Sequence, residues 1–225
     1  GVISHRVVFK RRLVAGGGGM SAFEFFFSFY GLLLGLSVAV LATGTARAFK
    51  HRKTVRVGWL TPLLALFVAM DIATFWDSAW NSFRELPYTY GLIIAGLGIA
   101  AVYFIAASLV FPETEDEAAS LDDHFWANKR AVILLTIAAN VMAVGVILLM
   151  NAIRGQGGHI GTTYLFNLGV YVVLSLPAAL TRRRWLFAGL VGFQVAVYLV
   201  LAALSIASPA MSASAESPPT AVAGP

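Results

Sequence analysis

The chain has 225 residues, 59% of them hydrophobic and only 12% charged, with a mean hydropathy of +0.79. A soluble domain carries about 25% charged residues, so this composition cannot clothe a water-facing surface and points to a polytopic α-helical membrane protein. The formal charge of +5 does not make a nucleic-acid surface, because the basic residues sit in short loops between apolar spans; the absence of cysteine excludes disulfides, thiolate catalysis and Cys-ligated metals.

Residues 1–19 are basic, end in four glycines and stop at Met20-Ser21, so they are expected to be a non-native or disordered leader. No Gly-Lys-Ser/Thr follows the glycines, which argues against a phosphate loop. Six apolar spans follow: Phe23–Thr43, Trp59–Trp80, Tyr88–Phe111, Ala131–Ile153, Thr162–Leu180 and Trp185–Ala207. Each is near the 20 or so residues that a bilayer core requires. The expected fold is therefore an all-α transmembrane bundle of six helices over residues 20–207. The Ser/Ala/Pro-rich segment 208–225 reads as a disordered tail.

Sidedness follows from the Lys/Arg distribution. The first loop holds Arg47, Lys50, Arg52, Lys53 and Arg56, the third Lys129 and Arg130, and the fifth Arg182, Arg183 and Arg184. The second and fourth hold only Arg84 and Arg154. The positive-inside rule places loops 44–58, 112–130 and 181–184 in the cytoplasm and both termini outside. Trp59, Trp126 and Trp185 then fall at the inner interface, and Trp76, Trp80, Tyr88, Tyr90 and Tyr164 at the outer one, as amphipathic rings favour.

Helix punctuation agrees. Thr61-Pro62 is expected to cap and open the second span, Leu86-Pro87 to open the third and Phe111-Pro112 to close it. Pro177 lies inside the fifth span and frees the carbonyl of Val173, a kink site. Gly31 and Gly35 form a GxxxG, and Gly91, Gly96, Gly98, Gly189 and Gly192 thin other spans; these favour packing within the bundle over dimerisation. The two halves share no residue pattern, so an inverted repeat is not supported.

Asp71 lies near the middle of the second span, Asn140 of the fourth and Gln194 of the sixth, with Asn167 and Glu24 nearer the outside. A carboxylate at that depth costs about 2.5–3.5 kcal/mol on insertion scales. At about 100° per residue Asp71 shares a face with Phe67, Thr74, Phe75 and Ser78, whereas Asp77 points toward Asn81 and Arg84 and can pair with Arg84. Two readings stand. Asp71, Thr74, Asn140, Asn167 and Gln194 line a polar pocket open to the outside, with Asp71 as a cation or proton site. Alternatively, a protonated Asp71 bonds Asn140 or Gln194 as interhelical glue, worth about 0.6 kcal/mol per bond.

The third loop crowds Glu113, Glu115, Asp116, Glu117, Asp122 and Asp123 together. Ser120-Leu121-Asp122-Asp123 resembles a capping box that opens a short amphipathic helix with Phe125 and Trp126 buried. Pairing of these acids with the basic loops competes with a divalent-cation site at Asp122, Asp123 and His124; the former is preferred, because consecutive residues rarely converge on one ion. The segments SLVFPE and LDDHFWANKR between Ser108 and Arg130, with the basic first loop, resemble a family of uncharacterised bacterial inner-membrane proteins. The resemblance spans residues 23–150 and implies an architecture without assigned sites.

No metal or cofactor is expected. All four histidines lie outside the spans, against a bis-His haem, and no lysine lies inside one, against a retinal Schiff base. HExxH and GxSxG are absent, and Asp71 and Asp77 diverge on one helix, against an aspartyl protease. The expectation is a non-enzymatic inner-membrane protein that binds or passes an ion or small solute around Asp71. The alternative is an accessory, sensor or scaffold subunit that meets a membrane partner or a second copy through the charged loop bearing Asp122, Asp123 and His124.

Overall fold

The computed structural model describes residues 22–50, 58–83, 89–112, 121–155 and 159–207. These form α1 (Ala22–Lys50), α2 (Leu60–Phe83), α3 (Tyr90–Ser108), α4 (Leu121–Ile153), α5 (His159–Leu180) and α6 (Arg184–Ala207), with no strand among the described residues. Each helix contains a stretch long and apolar enough to cross a membrane. Helices suit that medium because every backbone group finds its partner within the segment, where no water is available to substitute. The chain is thus an all-helical, multi-pass bundle.

The helices outrun the apolar spans in two places. α1 continues to Lys50, through seven residues expected as loop, and α4 begins at Leu121 rather than at Ala131. Hydropathy marks the hydrocarbon layer, whereas helical hydrogen bonding continues past it wherever propensity allows. Ala, Arg and Lys sustain the end of α1, and Asp122 and Asp123 favour the positive N-terminus of α4. Asp122, Asp123 and His124 stand in a helical first turn, where the capping-box pattern expected a short helix to open; that helix is continuous with the span instead of separate from it. Lys129 is likewise inside α4 and buried, which corrects the expectation of no lysine within a span.

Local punctuation differs as well. α2 starts one residue before Thr61, with Leu63 N–H donating to the Trp59 carbonyl at 3.3 Å. Thr61 and Pro62 both occupy the first turn, where a missing N–H costs nothing. Thr89 caps α3 in extended geometry (φ −131°, ψ 153°), its hydroxyl accepting from Leu92 N–H at 3.3 Å. Pro177 lies within α5 as expected. The expectations for residues 1–19 and 208–225, the Leu86-Pro87 opening, the Asp77–Arg84 pair and the acids Glu113–Glu117 fall outside the described residues.

α2 is the central helix. It packs against α1, α3, α4 and α6, while α1 also packs on α3, α3 on α4, α4 on α5 and α5 on α6. Four helices, α2, α4, α5 and α6, thereby close a ring in which each touches the next. Outside the ring α1 braces α2. Phe27 meets Trp76 and Trp80 edge-on with ring centroids 5.0 and 4.7 Å apart, and Tyr30 meets Phe75 at 5.9 Å. Gly31 is required there, since a Cβ would sit 1.8 Å from the Trp76 ring; Gly35 has open space, so only one glycine of the GxxxG makes a contact. Large apolar side chains such as Leu32, Ile94, Phe166, Val173 and Val200 cover the exterior.

The basic residues at the ends of α1 and α5 and the starts of α4 and α6 share one end of the bundle. There Lys129 is threaded inward between the rings of Trp126 and Phe187, 5.1 and 5.4 Å from their centroids. Its ammonium donates to the carbonyls of Ala178, Ala179 and Thr181. Two of these carbonyls belong to the last turn of α5, which the helix itself leaves without donors, and the third, of Thr181, follows it directly. A cation at that negative end is also favoured by the helix dipole.

Candidate functional site

Asp71 sits midway along α2, 2% exposed, facing into the four-helix ring. Four side chains from four other elements converge on it. Tyr103 of α3 donates its hydroxyl to Oδ2 at 3.1 Å, Tyr171 of α5 to Oδ2 at 3.2 Å, and Tyr198 of α6 to Oδ1 at 3.2 Å. Asn140 of α4 donates from Nδ2 to Oδ2 at 3.1 Å and, more distantly, to Oδ1 at 3.4 Å. The same amide nitrogen also reaches the Tyr103 hydroxyl at 3.1 Å and the Thr136 carbonyl at 3.0 Å. Every one of these groups donates toward Asp71, which is the pattern that a carboxylate accepts. Hydrogen bonds to a charged group contribute about 1.5–3 kcal/mol each, enough in number here to offset the insertion cost of the acid.

Above this cluster, in the half of the bundle away from the basic end, lies a cavity of about 540 Å³. Asp71, Thr74, Asn140, Asn167 and Gln194 all line it. Thr74 and Asn167 are exposed, so the cavity reaches the molecular surface. One turn below Asp71, Phe67 is fully buried and stacks on Tyr171, ring centroids 6.4 Å apart and planes at 12°. Tyr171 lines the cavity, and Phe67 packs behind it outside the lining. Toward the other end, the hydroxyls of Ser82 and Tyr164 meet at 2.8 Å and tie α2 to α5.

Gln194 belongs to the wall but not to the Asp71 cluster. Its Oε1 accepts from Ser175 at 3.2 Å, while its Nε2 is buried without a hydrogen-bond partner. Of the two candidate glue partners, therefore, Asn140 bonds Asp71 and Gln194 does not.

The three tyrosines were not singled out by sequence. Tyr103, Tyr171 and Tyr198 lie deep inside apolar runs, away from the headgroup level where tyrosine usually stands, and that displacement was the available signal. Phe67 and Phe75 share the Asp71 face as the helical period requires, and Phe75 contacts the Tyr103 ring at 5.3 Å.

The charged cluster on α4 is arranged differently. Asp122 Oδ2 is 3.4 Å from the Arg184 guanidinium, an ion pair across to α6. A Cβ on Gly58 would overlap Asp122, so the chain entering α2 also passes close to this acid. His124 donates from Nε2 to the Leu109 carbonyl at 3.1 Å, bracing the end of α3, and Asp123 is exposed. Among the described residues no group of three or more His, Cys, Asp or Glu side chains could hold a metal ion.

Compared with family models, curated proteins and solved structures, the chain matches none. The resemblance of residues 108–130 accordingly assigns nothing, and the site is read from its geometry.

Proposed function

We propose that this protein binds, and passes, an ion or small solute at the Asp71 cavity. One observation carries the reading: a mid-depth carboxylate, gathered by donors from α3, α4, α5 and α6, stands at the floor of a cavity that reaches exposed Thr74 and Asn167. Interhelical glue alone would need one or two partners and no adjoining space. A lone ionisable side chain in a span marks a solute or proton path more often than a packing device. Phe67 packs against the cavity-lining Tyr171 on the side toward the basic end, and passage is proposed to require that stack to part.

The sidedness proposed is cytoplasmic for the basic end and external for the cavity mouth, following the Lys/Arg count. A bacterial inner membrane is proposed on the resemblance alone. The test is Asp71→Asn in proteoliposomes, with uptake and binding measured across a panel of cations and neutral solutes. Loss of one activity supports the reading, and unchanged uptake and binding of every panel member removes it.

A further inference from the structure

The geometry points to an organic ammonium ion with an apolar body, not a bare metal cation, as the occupant of the Asp71 cavity. This rests on the reading that the cavity is a solute site.

Sign comes first. The lining residues include one carboxylate and no lysine, arginine or histidine, so the cavity offers a negative charge with no resident counter-ion. A cation supplies what the low-dielectric surroundings lack.

The kind of cation follows from the oxygens. A carboxylate has about four lone-pair positions. Asp71 already accepts from Tyr103, Tyr171 and Asn140 at Oδ2 and from Tyr198 at Oδ1. A calcium ion binds oxygens directly at about 2.3–2.6 Å and takes six to eight of them, and a magnesium ion holds its oxygens closer still. Either would have to displace these donors, and the remaining wall is chiefly aliphatic and aromatic. An ammonium needs no such vacancy. It can sit beside the phenol oxygens of Tyr171 and Tyr198, whose hydrogens are turned to Asp71, among the aromatic side chains Phe75, Phe193 and Tyr198 that line the cavity. Aromatic faces attract such a cation most strongly when it is desolvated.

Size and one orphan group agree. A cavity of about 540 Å³ matches an organic ligand rather than an ion. Gln194 is 5% exposed, lines the cavity and keeps Nε2 unpaired, so a hydrogen-bond acceptor on the ligand would complete it.

The test is calorimetric titration of the full chain in lipid nanodiscs with benzyltriethylammonium, neutral N,N-diethylbenzamide, and sodium or calcium ions. Benzyltriethylammonium is expected to bind, Asp71→Asn to weaken it at least about tenfold, and the neutral amide to bind at least about tenfold more weakly. Thr74→Trp fills an exposed part of the wall without touching the Asp71 donors, and is expected to abolish binding even if Asp71→Asn fails to fold. Equal binding of the neutral amide, displacement by sodium or calcium, or no binding of the ammonium overturns the assignment. If the amide or a metal ion binds and both variants lose it, the solute-site reading survives and the ammonium assignment falls. If nothing in the panel binds in a way that either variant changes, both fall.

Discussion

Phe67 lies nearly parallel to Tyr171, 6.4 Å between ring centroids, and the hydroxyl of that same tyrosine is bonded to Asp71. One tyrosine therefore links Phe67, the cavity wall and the shell of the carboxylate. Removing the Phe67 ring should open the path toward the basic end and slacken the tyrosine at once. Phe67→Ala is expected to raise solute leak through proteoliposomes and to lower stability by about 3–5 kcal/mol. Loss of stability with unchanged leak would show that the stack is packing and no barrier.

Coupling around Asp71 is measurable by double-mutant cycles. Tyr103→Phe, Tyr171→Phe and Tyr198→Phe each remove one donor and should each cost about 1.5–3 kcal/mol in an otherwise native chain. In an Asp71→Leu background the same changes should cost far less, because their acceptor is gone, giving coupling energies of about 0.5–3 kcal/mol. Unfolding equilibria in mixed micelles supply the numbers. Additive effects would mean that the tyrosines pack beside the acid without bonding it.

Lys129 offers a control remote from the cavity. Its ammonium serves three carbonyls at the end of α5. Lys129→Met keeps the stem but strips the donors, so stability should fall by about 1.5–3 kcal/mol, with solute binding at Asp71 unaltered. Thermal melting and titration of the same sample check both halves.

The two glycines of the α1 motif should part company. Gly31→Ala forces α1 off the Trp76 ring and should cost about 1–3 kcal/mol, whereas Gly35→Ala meets nothing within 4 Å and should be neutral or slightly stabilising. Equal effects in a thermal-melt comparison would contradict the α1–α2 packing.

Six helices were legible because hydropathy reports the lipid layer directly. Their ends were not, since Gly44–Lys50 and Leu121–Arg130 carry polar residues that leave the hydrocarbon while the helix goes on. Asp71 and Asn140 stood out as polar groups in apolar runs, and structure brings them to 3.1 Å. Tyr103, Tyr171 and Tyr198 did not, because tyrosine is amphipathic and its role depends on which way a helix is turned. Lys129 reads as a loop cation until α5 and α6 are placed beside it, where its ammonium meets carbonyls at the end of α5 and lies over the rings of Trp126 and Phe187.

Water is expected to reach the Asp71 cavity from the end opposite the basic residues. The chain has no cysteine, so Thr74→Cys carries a single thiol. In sealed vesicles this thiol should react with a membrane-impermeant cationic thiosulfonate added on the side away from the basic loops, and more slowly when Asp71→Asn is added. Val173→Cys, on the apolar exterior close to the depth of Asp71, should stay unreactive. A Thr74→Cys thiol as inert as that at position 173, in a chain that still melts cooperatively, would contradict a water-filled cavity.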